Sequence, residues 1–178
     1  MAKLFSPLKI KDLVFKNRIF VSPMCQYSCE NGIPNSWHLV HLGTRAVGGA
    51  GLVIAEATAV SPEGRISPGD CGIWSDVQTE AFKSMTSFIK DQGAIPGIQI
   101  GHAGRKASTD LPWQGGLPLP DKDGGWQPIA PSPVAFDPLH TIPREMTEAD
   151  MDRVVAEFTR AAQRSLSAGF KVLELHMA

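Results

Sequence analysis

Cys25 and Tyr27 stand two residues apart, directly after the apolar run Arg18-Ile19-Phe20-Val21-Ser22-Pro23-Met24, so one short segment carries a thiol and the chain's single phenol. Two further chemically able groups, Gln99 and His102, close the run Ile95-Pro96-Gly97-Ile98-Gln99-Ile100, and His176 closes Lys171-Val172-Leu173-Glu174-Leu175. A carboxamide both donates and accepts hydrogen bonds, and an imidazole donates to an oxygen on which charge develops. No carboxylates cluster at these positions. The set therefore lacks the hard oxygen ligands that magnesium prefers and the paired acids that hydrolyse glycosides.

The elements that must position these groups follow from periodicity. Residues 4–14 read as a small hairpin leading into a strand at 18–24, and 36–47 places Trp37, Val40, His41, Thr44 and Val47 at helical spacing before the stop Gly48-Gly49. A continuous apolar run at 51–60 is the signature of a parallel strand covered on both faces. A helix is expected at 77–92 with Ala81, Met85, Phe88 and Ile89 on one face, then a strand at 95–100, a helix at 148–168 capped by Thr147, and a strand at 171–176. Four strands alternating with three helices predict an α/β fold with a parallel sheet. Between the third strand and third helix, 103–146 forms a long excursion rich in Pro, Gly and Trp, the length of a lid or a disordered segment.

Composition narrows the partner. With 17 Lys plus Arg against 18 Asp plus Glu, nothing favours nucleic acid or an anionic membrane, and a small molecule is the expected ligand. No window approaches the roughly 18 apolar residues of a membrane span, and the N-terminus lacks a signal-peptide pattern, so a cytoplasmic protein is expected. Cys25, Cys29 and Cys71 are odd in number and show no C-x-x-C spacing, which argues for reduced thiols rather than disulfides or structural zinc. His38 and His41 sit three apart on a helix, but with no evident third ligand they read as capping and packing groups rather than a metal site. Arg105-Lys106 fits either the mouth of a site or a solvated turn, and Trp113 and Trp126 fit lid packing.

Several ordered motifs carry a specific likeness. Asn17-Arg18-Ile19, Ser22-Pro23-Met24-Cys25-Gln26-Tyr27, Glu56-Ala57-Thr58-Ala59-Val60-Ser61-Pro62-Glu63-Gly64-Arg65, Gln99-Ile100-Gly101-His102-Ala103-Gly104-Arg105-Lys106 and Glu174-Leu175-His176 together resemble the old yellow enzyme family across nearly the whole chain. Cys25 with Tyr27 is similar to its xenobiotic reductase and thermophilic-type ene-reductase subclass. The resemblance implies the first half of a TIM (β/α)8 barrel, with residues 1–178 as the N-terminal half of one FMN-binding domain. Catalytic residues of such barrels lie at the C-terminal ends of strands, and a whole barrel runs to about 250 residues.

Carried onto this sequence, the resemblance implies FMN as cofactor, NADPH or NADH as reductant, and hydride transfer to the β-carbon of an activated alkene such as an enone. It implies backbone contacts to the flavin from Ser22, Pro23, Met24 and Ala57, a pyrimidine contact from Gln99, and a Cys25 thiol that tunes the flavin. Tyr27 would hydrogen-bond the substrate, and His176 would be the first of two donors on its carbonyl oxygen. The second donor is expected at position 179, and the proton donor, the phosphate anchor and a strand-five arginine later still. The chain alone is thus expected to bind FMN weakly and to need either a second copy, as a homo-oligomer, or a complementing C-terminal half. A related oxidoreductase with an iron–sulfur cluster and further flavin domain stands as an alternative, against which Cys25 and Tyr27 argue.

Overall fold

The computed structural model describes residues 3–177. A hairpin opens it, with β1 (Leu8–Ile10) and β2 (Leu13–Phe15) paired antiparallel around Lys11, whose φ of 53° makes the tight turn. Then come β3 (Phe20–Val21), α1 (Ser36–Val47), β4 (Leu52–Ala59), β5 (Cys71–Gly72), α2 (Asp76–Asp91) and β6 (Ile95–Gly101). The excursion contributes the two-residue strands β7 (Ile129–Ala130) and β8 (Arg144–Glu145), after which α3 (Glu148–Ser167) leads into β9 (Val172–Leu175). The main sheet runs β3-β4-β6-β9 with every pair parallel, each step crossing through a helix, so the fold is α/β. No described helix is long and apolar enough to cross a membrane.

Each helix starts where its cap chemistry dictates. Asn35 with His38, Ser75 with Gln78, and Thr147 with Asp150 form reciprocal capping boxes that satisfy orphan backbone donors at both ends of the first turn. The core lies between helices and sheet, where Val53, Ala55, Ile98 and Ile100 meet Leu42, Phe82, Met85, Ile89 and Ala161. Phe82 stands edge-on to Phe170, with ring centroids 5.3 Å apart, which pins α2 to the turn before β9.

The pairing of β4 with β6 slips between Ala55 and Ala57, leaving Glu56 as an extra residue. This bulge inverts the strand's alternation. Val53 and Ala55 face the helices before it, and Val60 does so after it, while Ala57 and Ala59 turn to the opposite face.

The first main-sheet strand is shorter than the 18–24 expected, because only Phe20 and Val21 pair with β4, at Leu52 and Val53. Beyond Val21 the backbone leaves the sheet, and β5 pairs with Thr58 and Ala59 further along β4. Because β6 already holds the other edge at those residues, β5 must occupy the edge that β3 has left. Among the described residues neither β3 nor β9 has a second strand beside it, and Phe20, Leu173 and Leu175 are exposed.

The excursion is a built strap. Arg65 lies between the rings of Trp74 and Trp126, at 5.5 and 5.0 Å from their centroids, and Trp126 Nε1 donates to Glu63 O at 3.0 Å. Arg153 of α3 holds the Glu63 carboxylate and also reaches Glu157 at 2.9 Å. Trp126 therefore packs, as its sequence setting suggests, whereas Trp113 is largely exposed.

Phe82→Ala should lower the unfolding free energy by about 3–5 kcal/mol, the range for deleting a buried aromatic. Val77→Ala, on the exposed side of the same helix, should change it by less than about 0.5 kcal/mol. Urea unfolding followed by tryptophan emission separates the two.

Candidate functional site

A cavity of about 280 Å³ opens at the C-terminal ends of β4, β6 and β9, bordered by Ala57, Ala59, Asp70, Gly101, His102 and His176. Small residues make the room. A Cβ on Gly101 would come within 3.3 Å of the His176 Cβ, and one on Gly64 within 2.9 Å of the His102 ring. His176 is placed by its backbone, whose N–H donates to Ile100 O at 2.9 Å. His102 Nδ1 accepts from Gly104 N at 3.0 Å, which leaves the ring proton on Nε2. That Nε2 is buried and finds no partner, and burial holds the pKa of the ring below the usual imidazole range. His102 is thus a neutral donor beside the cavity.

Cys25 and Tyr27 lie on the segment that leaves the sheet. Their side chains lie beside one another, and the Ala57 backbone stands near the thiol. Burial, reinforced by Glu56 and Asp70, pushes the Cys25 thiol up to about 11, and burial likewise raises the Tyr27 phenol. Tyr27 takes a left-handed backbone with φ of 49°, and its ring meets the edge of Trp113 at 6.1 Å. The buried Glu56 tethers this segment by accepting from Gln26 N at 2.8 Å.

The other residues expected at the site divide. Ala57 and His176 border the cavity together, and Cys25 with Tyr27 adjoins Ala57. Gln99 is buried, and its Nε2 donates to Glu174 Oε1 at 2.7 Å, so its amide donor is engaged by the neighbouring strand. Met24 borders a different recess, about 380 Å³, with Trp37, Val40 and His41. Ser22 and Pro23 lie in the loop between, outside the lining of the main cavity. Lys106 reaches that cavity and also the face of Phe136 at 4.5 Å.

One cluster escapes sequence reasoning. Cys29 Sγ lies 2.8 Å from Cys71 Sγ and 3.4 Å from His38 Nε2, and that Nε2 is 3.4 Å from Glu56 Oε1, all four residues being buried. A tetrahedral zinc with bonds of about 2.3 Å would hold two sulfurs roughly 3.8 Å apart, so the closer approach is a thiol–thiol contact. Burial pulls the His38 pKa down, but hydrogen bonds to Cys29 and Glu56 outweigh it and raise it to about 9. The Asn35 amide, 3.1 Å from Nδ1, works the other way by asking for a lone pair there. Only His38 carried any sequence signal, as a capping residue, because sequence spacing says nothing about two cysteines 42 residues apart.

Asp70 gives the cavity a pH response. Ile66 N and Ser67 donate to its carboxylate at 2.7–3.2 Å, yet burial dominates and pushes its pKa up to about 6. A folded pKa above the unfolded value means that the folded state keeps a proton the unfolded state has already released. The stabilising contribution is complete below about pH 4 and is lost as pH rises through about 6. The stability difference between wild type and Asp70→Asn should therefore move against wild type by on the order of 3 kcal/mol from pH 4 to 7.5, read by thermal melts. Cys25 should alkylate with iodoacetamide at pH 8 roughly a hundredfold more slowly than free cysteine, and tenfold faster per unit of pH above that, as peptide mass spectrometry would show.

Comparison with known proteins accounts for this geometry. The model of the NADH:flavin oxidoreductase / NADH oxidase family matches residues 3–178. An NADPH dehydrogenase of Geobacillus sp. (strain WCH70) is 44% identical over 177 residues, covering 98% of this chain and 48% of the relative. An NADPH dehydrogenase of Listeria welshimeri is 47% identical over 180 residues, covering all of this chain and 49% of the relative. Among solved structures, morphinone reductase superposes with a TM-score of 0.84 at 29% identity, over 98% of this chain and 48% of the other. The old yellow enzyme homologue from Zymomonas mobilis gives 0.82 at 29% identity over the same shares. The chain spans about half the length of the curated relatives it matches. Matched from residue 3 to residue 178, the chain belongs to the NADH:flavin oxidoreductase / NADH oxidase family.

Proposed function

We propose that residues 1–178 supply the N-terminal half of an FMN-binding β/α barrel of the ene-reductase type, in the xenobiotic reductase subclass, and that the reaction needs a complementing half. The carrying observation is that an α/β unit with a cavity at the C-terminal ends of its strands covers only about half of each relative. The exposed β3 and β9 edges are where a C-terminal half, or a second copy in a homo-oligomer, would pair. In this reading the protein works in the cytoplasm with its three thiols reduced.

The residues present suit a planar ring system. Ala57, Ala59 and Gly101 leave the cavity open, and the unpartnered His102 Nε2 offers a donor to an acceptor placed there. Ser22, Pro23, Met24, Ala57 and Gln99 are the proposed flavin contacts, Gln99 through the amide oxygen that Glu174 leaves free. Bound FMN would take a hydride from NADPH or NADH and deliver it to the β-carbon of an activated alkene. His176 would donate to the substrate carbonyl oxygen and stabilise the charge that grows on it. Tyr27 would hold the same substrate, and Cys25, kept neutral by burial, would stay a thiol donor beside the ring.

The test is the visible spectrum after incubation with FMN and removal of free cofactor, with and without a co-expressed C-terminal half from a family relative. The isolated chain should retain little flavin, and the complemented pair should show a band bleached by NADPH and restored by an enone. In that pair, His176→Ala should slow the enone step by about a hundredfold, the scale for losing one donor to a developing oxyanion, and spare the NADPH step. A complemented, folded pair that stays colourless would sink the reading.

A further inference from the structure

Cys29 and Cys71 lie 42 residues apart in the chain, yet their sulfurs meet at 2.8 Å. The fold holds both partners in place. Cys29 N donates to Gly69 O at 2.9 Å, and Cys71 pairs with Thr58 at the end of β4, so neither can retreat without breaking the ladder or the loop. The two thiols differ in access. Cys29 borders a surface cavity of about 440 Å³ together with Tyr27, Asn31, Arg65 and Asp110, whereas Cys71 is only 1% exposed.

Their surroundings assign opposite roles. The hydrogen bond with Cys71, then that with His38, holds the Cys29 thiol below the ordinary range, while burial drives Cys71 well above it. The imidazole that faces Cys29 is itself backed by Glu56. Cys25 is excluded from the pair, since the close sulfur contact joins Cys29 to Cys71 alone and burial keeps the Cys25 thiol neutral. An acidified thiol at the wall of a cavity, next to a wholly buried one, is the arrangement in which an attacking cysteine meets its resolving partner.

We propose that Cys29 and Cys71 form an oxidisable dithiol site, at which a hydroperoxide reaching Cys29 through the bordering cavity is reduced and an internal disulfide closes. In the first step the Cys29 thiolate attacks one oxygen of hydrogen peroxide, an S–O bond forms as the O–O bond breaks, and the departing hydroxide leaves as water with the proton released from Cys29. In the second step the Cys71 sulfur attacks the Cys29 sulfenic acid, the S–S bond forms as the S–O bond breaks, and the second water carries off the Cys71 proton. Two thiols lose two electrons and two protons, and the peroxide becomes two waters. A small dithiol reverses the change. Closure would tie the segment carrying Tyr27 to the one carrying Asp70 and raise the melting temperature by restricting the unfolded chain.

The full chain is treated with stoichiometric hydrogen peroxide, alkylated, digested without reductant and mapped by mass spectrometry. One cross-linked pair, Cys29 with Cys71, is expected, with Cys25 still alkylated, a higher melting temperature, and full reversal by dithiothreitol. Cys71→Ser should leave a Cys29 sulfenic acid that dimedone captures, and Cys29→Ser should leave Cys71 unoxidised at the same dose. Three thiols that all alkylate after peroxide overturn the proposal, as does a bridge that includes Cys25. Stoichiometric zinc that survives chelation and blocks the bridge in wild type also overturns it, in favour of a metal site.

Discussion

The parallel pairing of β4 with β6 is the constraint on which the remaining structure rests. It is the longest ladder in the molecule, running from Leu52 opposite Ile95 to Ala59 opposite Gly101, and it is covered by helices on the face that carries Val53, Ala55, Ile98 and Ile100. β3, β5 and β9 all pair with one of these two strands and with nothing else in the main sheet. The cavity lies at their C-terminal ends because a parallel sheet sends every one of its strands out at the same edge, where the following loops gather.

Much of this was legible in the residues. The alternation of apolar runs with 3.6-residue periodicity located the helices to within one residue, and Thr147 announced the third as its cap, while the caps Asn35 and Ser75 emerge from the structure. The ends of strands were also legible as the place for Ala57 and His176. The strand at 18–24 was overread because an apolar run does not say where pairing stops, and residues 22–25 lie in a loop, with Pro23 and Cys25 partly buried and Ser22 and Met24 exposed. The bulge at Glu56 was hidden for the same reason, since a strand that is apolar throughout shows no break when its phase changes. Contacts such as Cys29 with Cys71, or Gln99 with Glu174, have no local period at all and emerge only from the fold.

The excursion also shows composition misleading in a useful way. Its Pro and Gly content suits a lid or a disordered segment, but a few polar anchors give it a fixed course. Arg65 places its guanidinium carbon over two indoles, a contact that suits a planar, weakly hydrated guanidinium better than a lysine ammonium. The Glu63 carboxylate and carbonyl then bind α3 and Trp126 from a single residue, so the helix and the strap share one point of attachment.

The bulge has a consequence for how this strand tolerates change. Before Glu56 the core-facing positions are Val53 and Ala55 and after it Val60, while Ala57 and Ala59 answer to the size of the cavity. One strand is thereby divided into a half that fits the core and a half that borders the cavity. Exchanging Ala57 or Ala59 reshapes what the cavity admits without touching the helix-facing side, whereas deleting Glu56 would leave every other side chain on its present face and remove only the carboxylate that tethers Gln26.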